Sequence, residues 1–222
     1  GINNFDKELG GLKIGGRIDF LPFGLFTNKG QFRQIDVMRE LTPKFVIGVN
    51  YSHNSGMSSR RGRNSGSIIY LNEFGQQSLP DYTKYGIDFL FKYNGFSALG
   101  EYIKSSSTVP TNIIERVRND GSTSSSFLVN GIQDVESYVN GRMMLGEAYN
   151  IQMGYLFKSG ITIDSRYTHL KADDNSFLNN ATFYNRPNYY TLSIGKLLGR
   201  NYGAKIQGSI TLVDGSLGVN HD

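Results

Sequence analysis

The chain has 222 residues, with no Cys, no Trp, 14 Tyr, 14 Phe, 27 Gly and 5 Pro, and a formal net charge of +4. This excludes a disulfide framework, and no run approaches the ~20 consecutive apolar residues of a membrane-spanning helix. Basic residues are spread along the chain instead of being gathered on one surface, which argues against nucleic acid as a partner. The opening Gly1-Ile2-Asn3-Asn4 lacks the basic start and apolar core of a secretory leader. The expectation is a chain whose leader was removed, or one that starts inside a longer chain.

The hydropathy alternates with period two, the signature of strands with two unlike faces. The first predicted strand, 12–20, sets Leu12, Ile14, Ile18 and Phe20 against Lys13, Arg17 and Asp19. The second, 44–53, sets Phe45, Ile47, Val49 and Tyr51 against Val46, Gly48, Asn50 and Ser52. In the third, 85–93, Tyr85, Ile87, Phe89, Phe91 and Tyr93 share one face, and Gly86, Asp88, Leu90 and Lys92 share the other. Asn94-Gly95 then supplies the two residues tolerant of positive φ that a two-residue hairpin turn requires. The fourth, 96–102, resumes with Phe96, Ala98, Gly100 and Tyr102 opposite Ser97 and Glu101.

The fifth, 148–157, carries Tyr149, Ile151, Met153, Tyr155 and Phe157 on one face, and Lys158-Ser159-Gly160 turns it into the sixth. There Ile161, Ile163 and Tyr167 oppose Thr162, Asp164, Arg166 and Thr168. The seventh, 189–198, has Tyr190, Leu192 and Ile194 on its apolar face, and a turn near Gly199-Arg200-Asn201 leads to the eighth, where Ala204, Ile206, Ile210 and Leu212 oppose Lys205, Gln207, Ser209 and Thr211. These segments approach the 9 to 11 residues of a tilted strand crossing a bilayer.

From the third strand on, tight turns alternate with polar stretches. The long stretches are 54–83, 105–147 and 171–188, the alternation that outer-membrane barrels show between periplasmic turns and outer loops. The link 21–43 is long where parity asks for a short turn, and Phe32, Ile35, Val37 and Met38 predict one or two helical turns against the rim. In the longest stretch, Ile113, Ile114, Val117, Phe127, Leu128 and Val129 are apolar enough to pack back into an opening. The predicted fold is all-β: an antiparallel up-and-down transmembrane β-barrel of about eight strands, one domain over 1–222, either complete or part of a larger barrel. A soluble β-sandwich also alternates, but the tyrosines at strand ends and the strand lengths favour the membrane.

Several segments resemble a known family. Gly16-Arg17-Ile18-Asp19-Phe20-Leu21-Pro22-Phe23-Gly24, Thr42-Pro43-Lys44-Phe45-Val46-Ile47-Gly48, Tyr85-Gly86-Ile87-Asp88 and Gly95-Phe96-Ser97-Ala98-Leu99-Gly100-Glu101-Tyr102 look like the C-terminal half of the phosphate-selective porin O and P family, particularly its Bacteroidetes versions. Ser165-Arg166-Tyr167 and Gly203-Ala204-Lys205-Ile206-Gln207 resemble its late strands. The resemblance implies a bacterial outer-membrane channel, sixteen-stranded in that family and usually a homotrimer. This chain carries about half that number, and Gly218-Val219-Asn220-His221-Asp222 does not end on the aromatic residue that closes such barrels. A fragment, or a chain cut before its closing strand, is one expectation; a complete eight-stranded barrel filled by side chains is the other.

The inward face supplies the candidate pore-lining residues: Lys13, Arg17, Lys92, Arg166 and Lys205 among the bases, Asp19, Asp88, Glu101 and Asp164 among the acids. They either pair, Arg17 with Asp19 and Asp164 with Arg166, or set up a transverse field that selects ions. A phosphate site needs several guanidinium or ammonium groups converging on one anion, which two strand arginines do not provide. Arg60, Arg61 and Arg63 form the densest positive run, suited to drawing anions to a mouth or to touching lipopolysaccharide. Catalysis is not expected. Ser52 and His53 point to opposite faces, His169 lies near a strand end, and Asp173-Asp174-Asn175 lacks the spacing of a calcium loop. No metal or cofactor is expected. The predicted function is passive diffusion of small hydrophilic solutes with a mild anion preference, with outer-membrane lipid, lipopolysaccharide and such solutes as partners. A closed barrel acting as a structural or adhesive surface protein is the second reading, and a secreted soluble β-sandwich the third.

Overall fold

The computed structural model describes residues 10–57, 69–118, 121–176, 186–198 and 204–214. It is all-β. Eight long strands, β1 (Lys13–Phe20), β2 (Lys44–Asn54), β3 (Asp81–Tyr93), β4 (Phe96–Thr108), β5 (Gly146–Leu156), β6 (Ile161–Ala172), β7 (Asn188–Leu198) and β8 (Ala204–Asp214), form one sheet in sequence order. Every neighbouring pair is antiparallel. Among the described residues β1 pairs only with β2 and β8 only with β7, so no ladder closes the sheet.

The tight turns follow from residues that accept positive φ. Asn94 at φ 48 and Gly95 at φ 90 make the β3–β4 turn. Gly160 at φ 83 makes the β5–β6 turn. The predicted turn near Gly199-Arg200-Asn201 lies outside the described residues, although Leu198 pairs with Ala204 across it. Two strands are longer than their patterns: β3 starts at Asp81 instead of 85, and β4 runs to Thr108 instead of 102. The added pairs, such as Thr83 with Ser106 and Tyr82 with Ser107, have little apolar contrast between faces, so alternation could not reveal them.

The sheet keeps its apolar side chains on the outside. In seven of the eight strands large apolar residues of that face are exposed, Ile18 at 78% and Ile210 at 73% among them. Burial concentrates on the opposite, polar face, where Lys92, Thr162, Asp164 and Ser193 are enclosed. Segment 21–43 lies against this inner face. Phe26 packs on Val46 and Leu90, and Gln34 lines one cavity with Arg17 of β1 and another with Lys205 of β8. Laid flat, eight strands at ~4.8 Å spacing would put β1 and β8 roughly 34 Å apart. One residue borders cavities that reach both edge strands because the sheet curls around the segment.

The predicted helical turns in 21–43 are replaced by a 3₁₀ stretch at Thr27–Phe32, and Phe32 is exposed. What anchors the segment is polar. Asp36 and Glu40 are 1% and 3% exposed, and Asp36 accepts from Glu40 N and Gly95 N. Glu40 accepts from Thr27 N and Oγ1, while Arg39 donates to Leu156 O and Asn94 O. These contacts set the segment at the end of the sheet that carries the tight turns, the end that parity assigns to it.

The opposite end is not structureless. Ile69–Leu71, Glu115–Val117 and Thr123–Ser124 form a small sheet, Leu128–Val129 and Ile132–Gln133 a hairpin, and α1 (Val135–Asn140) follows. They share a core of Tyr70, Ile113, Phe127, Val139, Met143 and Leu145. Ile113 and Phe127 are buried as the sequence suggested, whereas Ile114 and Leu128 stay exposed. At about 1.5–3 kcal/mol per fully buried large apolar side chain, this core holds the loops as one cap.

Asp36→Ala should leave the Gly95 and Glu40 amides without their acceptor, at a cost of about 1–3 kcal/mol each. Urea unfolding in detergent micelles reads this as a lower midpoint. At the other end Asp134 caps α1, and hydrogen bonds from the Ser137 side chain and Ser137 N hold its carboxyl below the ordinary value. A depressed carboxyl stabilises above its unfolded value and loses that contribution as pH falls through the folded one. Hydrogen-exchange protection of the α1 amides, corrected for intrinsic rates, should therefore fall below about pH 4, and Asp134→Ala should remove that pH dependence.

Candidate functional site

The inner wall is where chemistry-bearing side chains meet, and missing side chains give them room. Register places Asp19, Gly48 and Asp88 side by side on β1, β2 and β3. Because Gly48 has no Cβ, the Arg17 guanidinium lies flat across β2 and forms a bidentate pair with Asp88 at 2.5 and 2.8 Å; its Nη2 is also 2.7 Å from Asp19. A Cβ at Gly48 would overlap both Arg17 and Asp19. The arrangement recurs on β5 and β7. Asp164 rests over Gly154 and faces Lys205 at 3.6 Å, while the Lys205 stem passes over Gly195.

The predicted wall residues thus fall into different situations. The Arg17–Asp19 pairing expected from sequence is present, with Asp88 as a second and better-oriented partner. Asp164 pairs with Lys205 on β8, not with Arg166, because cross-sheet reach over a glycine beats spacing along one strand. Arg166 is exposed and has no ion-pair partner among the described residues. Glu101 is exposed opposite Asp88, and Lys13 is exposed at the start of β1. Lys92 departs from expectation: at 1% exposure it lines no open space and donates to Gly30 O and Ile35 O, clamping segment 21–43. Arg60, Arg61 and Arg63 lie outside the described residues.

With Lys92 withdrawn, four bases face four acids among the nine wall residues named from sequence, and the expected basic surplus disappears. The bidentate pair also takes Arg17 out of contention as an anion ligand. Among the described residues, two cavities lie between wall and segment. One of about 420 Å³ holds the Arg17–Asp19–Asp88 group. The other, about 200 Å³, is lined by Gln34, Gln152, Asp164, Arg166, Lys205 and Gln207 with neighbouring hydroxyls. Asp36, Arg39 and Glu40 were not singled out from sequence; the available signal was a link too long for a turn that carried four charges within Arg33–Glu40.

The outer face has its own order. Tyr51 pairs with Tyr85, Tyr102 with Tyr149 and Tyr167 with Tyr190, and the rings continue from Tyr85 to Tyr102 and from Tyr149 to Tyr167. Phe45 on Phe89 and Phe91 near Phe96 form aromatic contacts toward the tight-turn end. His53 hydrogen-bonds Thr83, and His169 stacks on Tyr149 and contacts Asn188. Among the described residues no three His, Cys, Asp or Glu side chains gather as a metal site.

Gly48→Val should force Arg17 and Asp19 apart and cost about 1–3 kcal/mol, as overpacking does. Asp88→Asn should cost less, because Arg17 keeps Asp19 and both groups are partly exposed. The ordering of the two urea midpoints in micelles checks this.

Compared with protein-family models, with curated proteins and with solved structures, the chain finds no match. The likeness to phosphate-selective porins therefore rests on the short motifs quoted above.

Proposed function

We propose that this chain forms an outer-membrane β-barrel, or part of one, working as a porin-like channel for passive diffusion of small hydrophilic solutes. The observation that carries the reading is the apolar face of the sheet, exposed along seven of eight strands while burial concentrates on the polar face. A sandwich buries its apolar faces against each other; contiguous apolar surface on this scale needs a lipid environment. The tyrosine band supports it. Its level shifts by two residues between β3 and β4 and again between β5 and β6, and by none across the direct pairs. That averages about one residue per strand, the stagger of barrels with tilted strands. In a bilayer the free edges of β1 and β8 must be paired, with each other or with further strands.

Segment 21–43 would serve as the constriction at the tight-turn end, and the Phe127-centred cap would narrow the mouth. The near balance of wall charges replaces the anion preference expected from sequence with weak overall charge selectivity. The packed cap also favours the second reading, a closed barrel whose loops carry a structural or adhesive role. Planar-bilayer recording separates the two. Folded, heat-modifiable protein should give stable steps whose reversal potential in a salt gradient lies close to zero, and folded protein without conductance would overturn the channel.

A further inference from the structure

We propose that the inner wall carries a binding site for a small sugar acid, a polyhydroxylated solute with one carboxylate, in the cavity between Gln34 and strands β5–β8. The proposal deepens the channel reading and rests on it in one respect, that the inner face meets water.

The cavity, about 200 Å³, has room for roughly six or seven waters at ~30 Å³ each, the size of a single sugar ring. Its charged groups are asymmetric. Asp164 and Lys205 offset one another, which leaves the Arg166 guanidinium as the uncompensated charge, and a guanidinium binds a carboxylate through two parallel hydrogen bonds. Asp164 shapes the charge of the site without offering a contact: its side chain is 9% exposed, and Oδ2 is closed off with Lys205 Nζ 3.6 Å away.

The remaining lining is almost entirely neutral and polar, three amides among serine and threonine hydroxyls. Gln34, Gln152 and Gln207 each offer two donors and an acceptor, which matches a ring of hydroxyls that both give and receive. The Thr191 and Thr211 hydroxyls already engage each other at 3.0 Å. Inorganic phosphate suits this cavity poorly: it would face the Asp164 carboxylate and leave the amides largely unused. A neutral sugar would leave Arg166 without its counter-charge.

The test is calorimetric titration of the detergent-folded protein with sodium glucuronate, glucose and sodium phosphate. Glucuronate should bind saturably, and glucose and phosphate at least about fivefold more weakly. Arg166→Gln should weaken glucuronate at least about tenfold, the weight of a charge-assisted pair, and leave glucose unchanged. Gln207→Ala, on an exposed strand, should weaken both sugars and serves if Arg166→Gln does not fold. No saturable glucuronate binding, phosphate binding as tight as glucuronate, or an Arg166→Gln or Gln207→Ala protein that binds like the parent would each overturn the site. Binding in micelles is read without a bilayer, so intact binding with no conductance would sink the channel and not the site.

Discussion

The structure depends on which face of the sheet is enclosed. Side chains alternate across a strand, so a two-faced sheet must hide one face and show the other. Here Ile18 and Ile210 point outward and are largely exposed, while Lys92, Thr162 and Asp164 are enclosed. An enclosed polar face imposes a demand that an apolar core does not: each group needs a partner, or its burial costs free energy. Segment 21–43 meets much of that demand. Its carbonyls at Gly30 and Ile35 receive the Lys92 ammonium, and its Asp36 carboxylate takes the free amide of the tight turn.

Glycine meets part of what remains. At Gly48 and Gly154 the absent side chain is what lets a neighbouring charge lie flat and reach a partner on another strand. The result is a wall whose charges are mostly spent on one another, Arg17 on Asp88 and Asp19, Lys205 on Asp164. In the channel proposed above, selectivity would be local, set less by the net charge of the wall than by Arg166, the group left over.

How far the sequence revealed this depended on whether the stabilising contacts were local. The β3–β4 hairpin was legible because Tyr85 to Tyr93 alternates and Asn94-Gly95 fixes the turn, with both residues at positive φ. The same hairpin past Tyr102 was not, since Ser105, Ser106 and Ser107 give no contrast between faces. The candidate wall residues were legible as a face, but their pairing was not: Arg17 reaches Asp88 only because β1, β2 and β3 are neighbours with Gly48 between them. Lys92 read as a wall charge because sequence pattern assigns a face and cannot show what covers it. In the loops, Ile113 and Phe127 stood out as apolar, whereas Tyr70, Val139 and Met143 join them through contacts between segments far apart in the chain.

In the proposed membrane setting the exposed apolar face meets lipid and the polar face meets water. The chain has no cysteine, so single substitutions place unambiguous fluorescent labels. Labels at Leu192→Cys and Ile210→Cys should be quenched by nitroxide lipids and shielded from aqueous iodide, and labels at Thr191→Cys and Gln207→Cys should show the reverse. Iodide quenching of Leu192→Cys and Ile210→Cys in a protein that stays monomeric without detergent would rule out a lipid-facing surface.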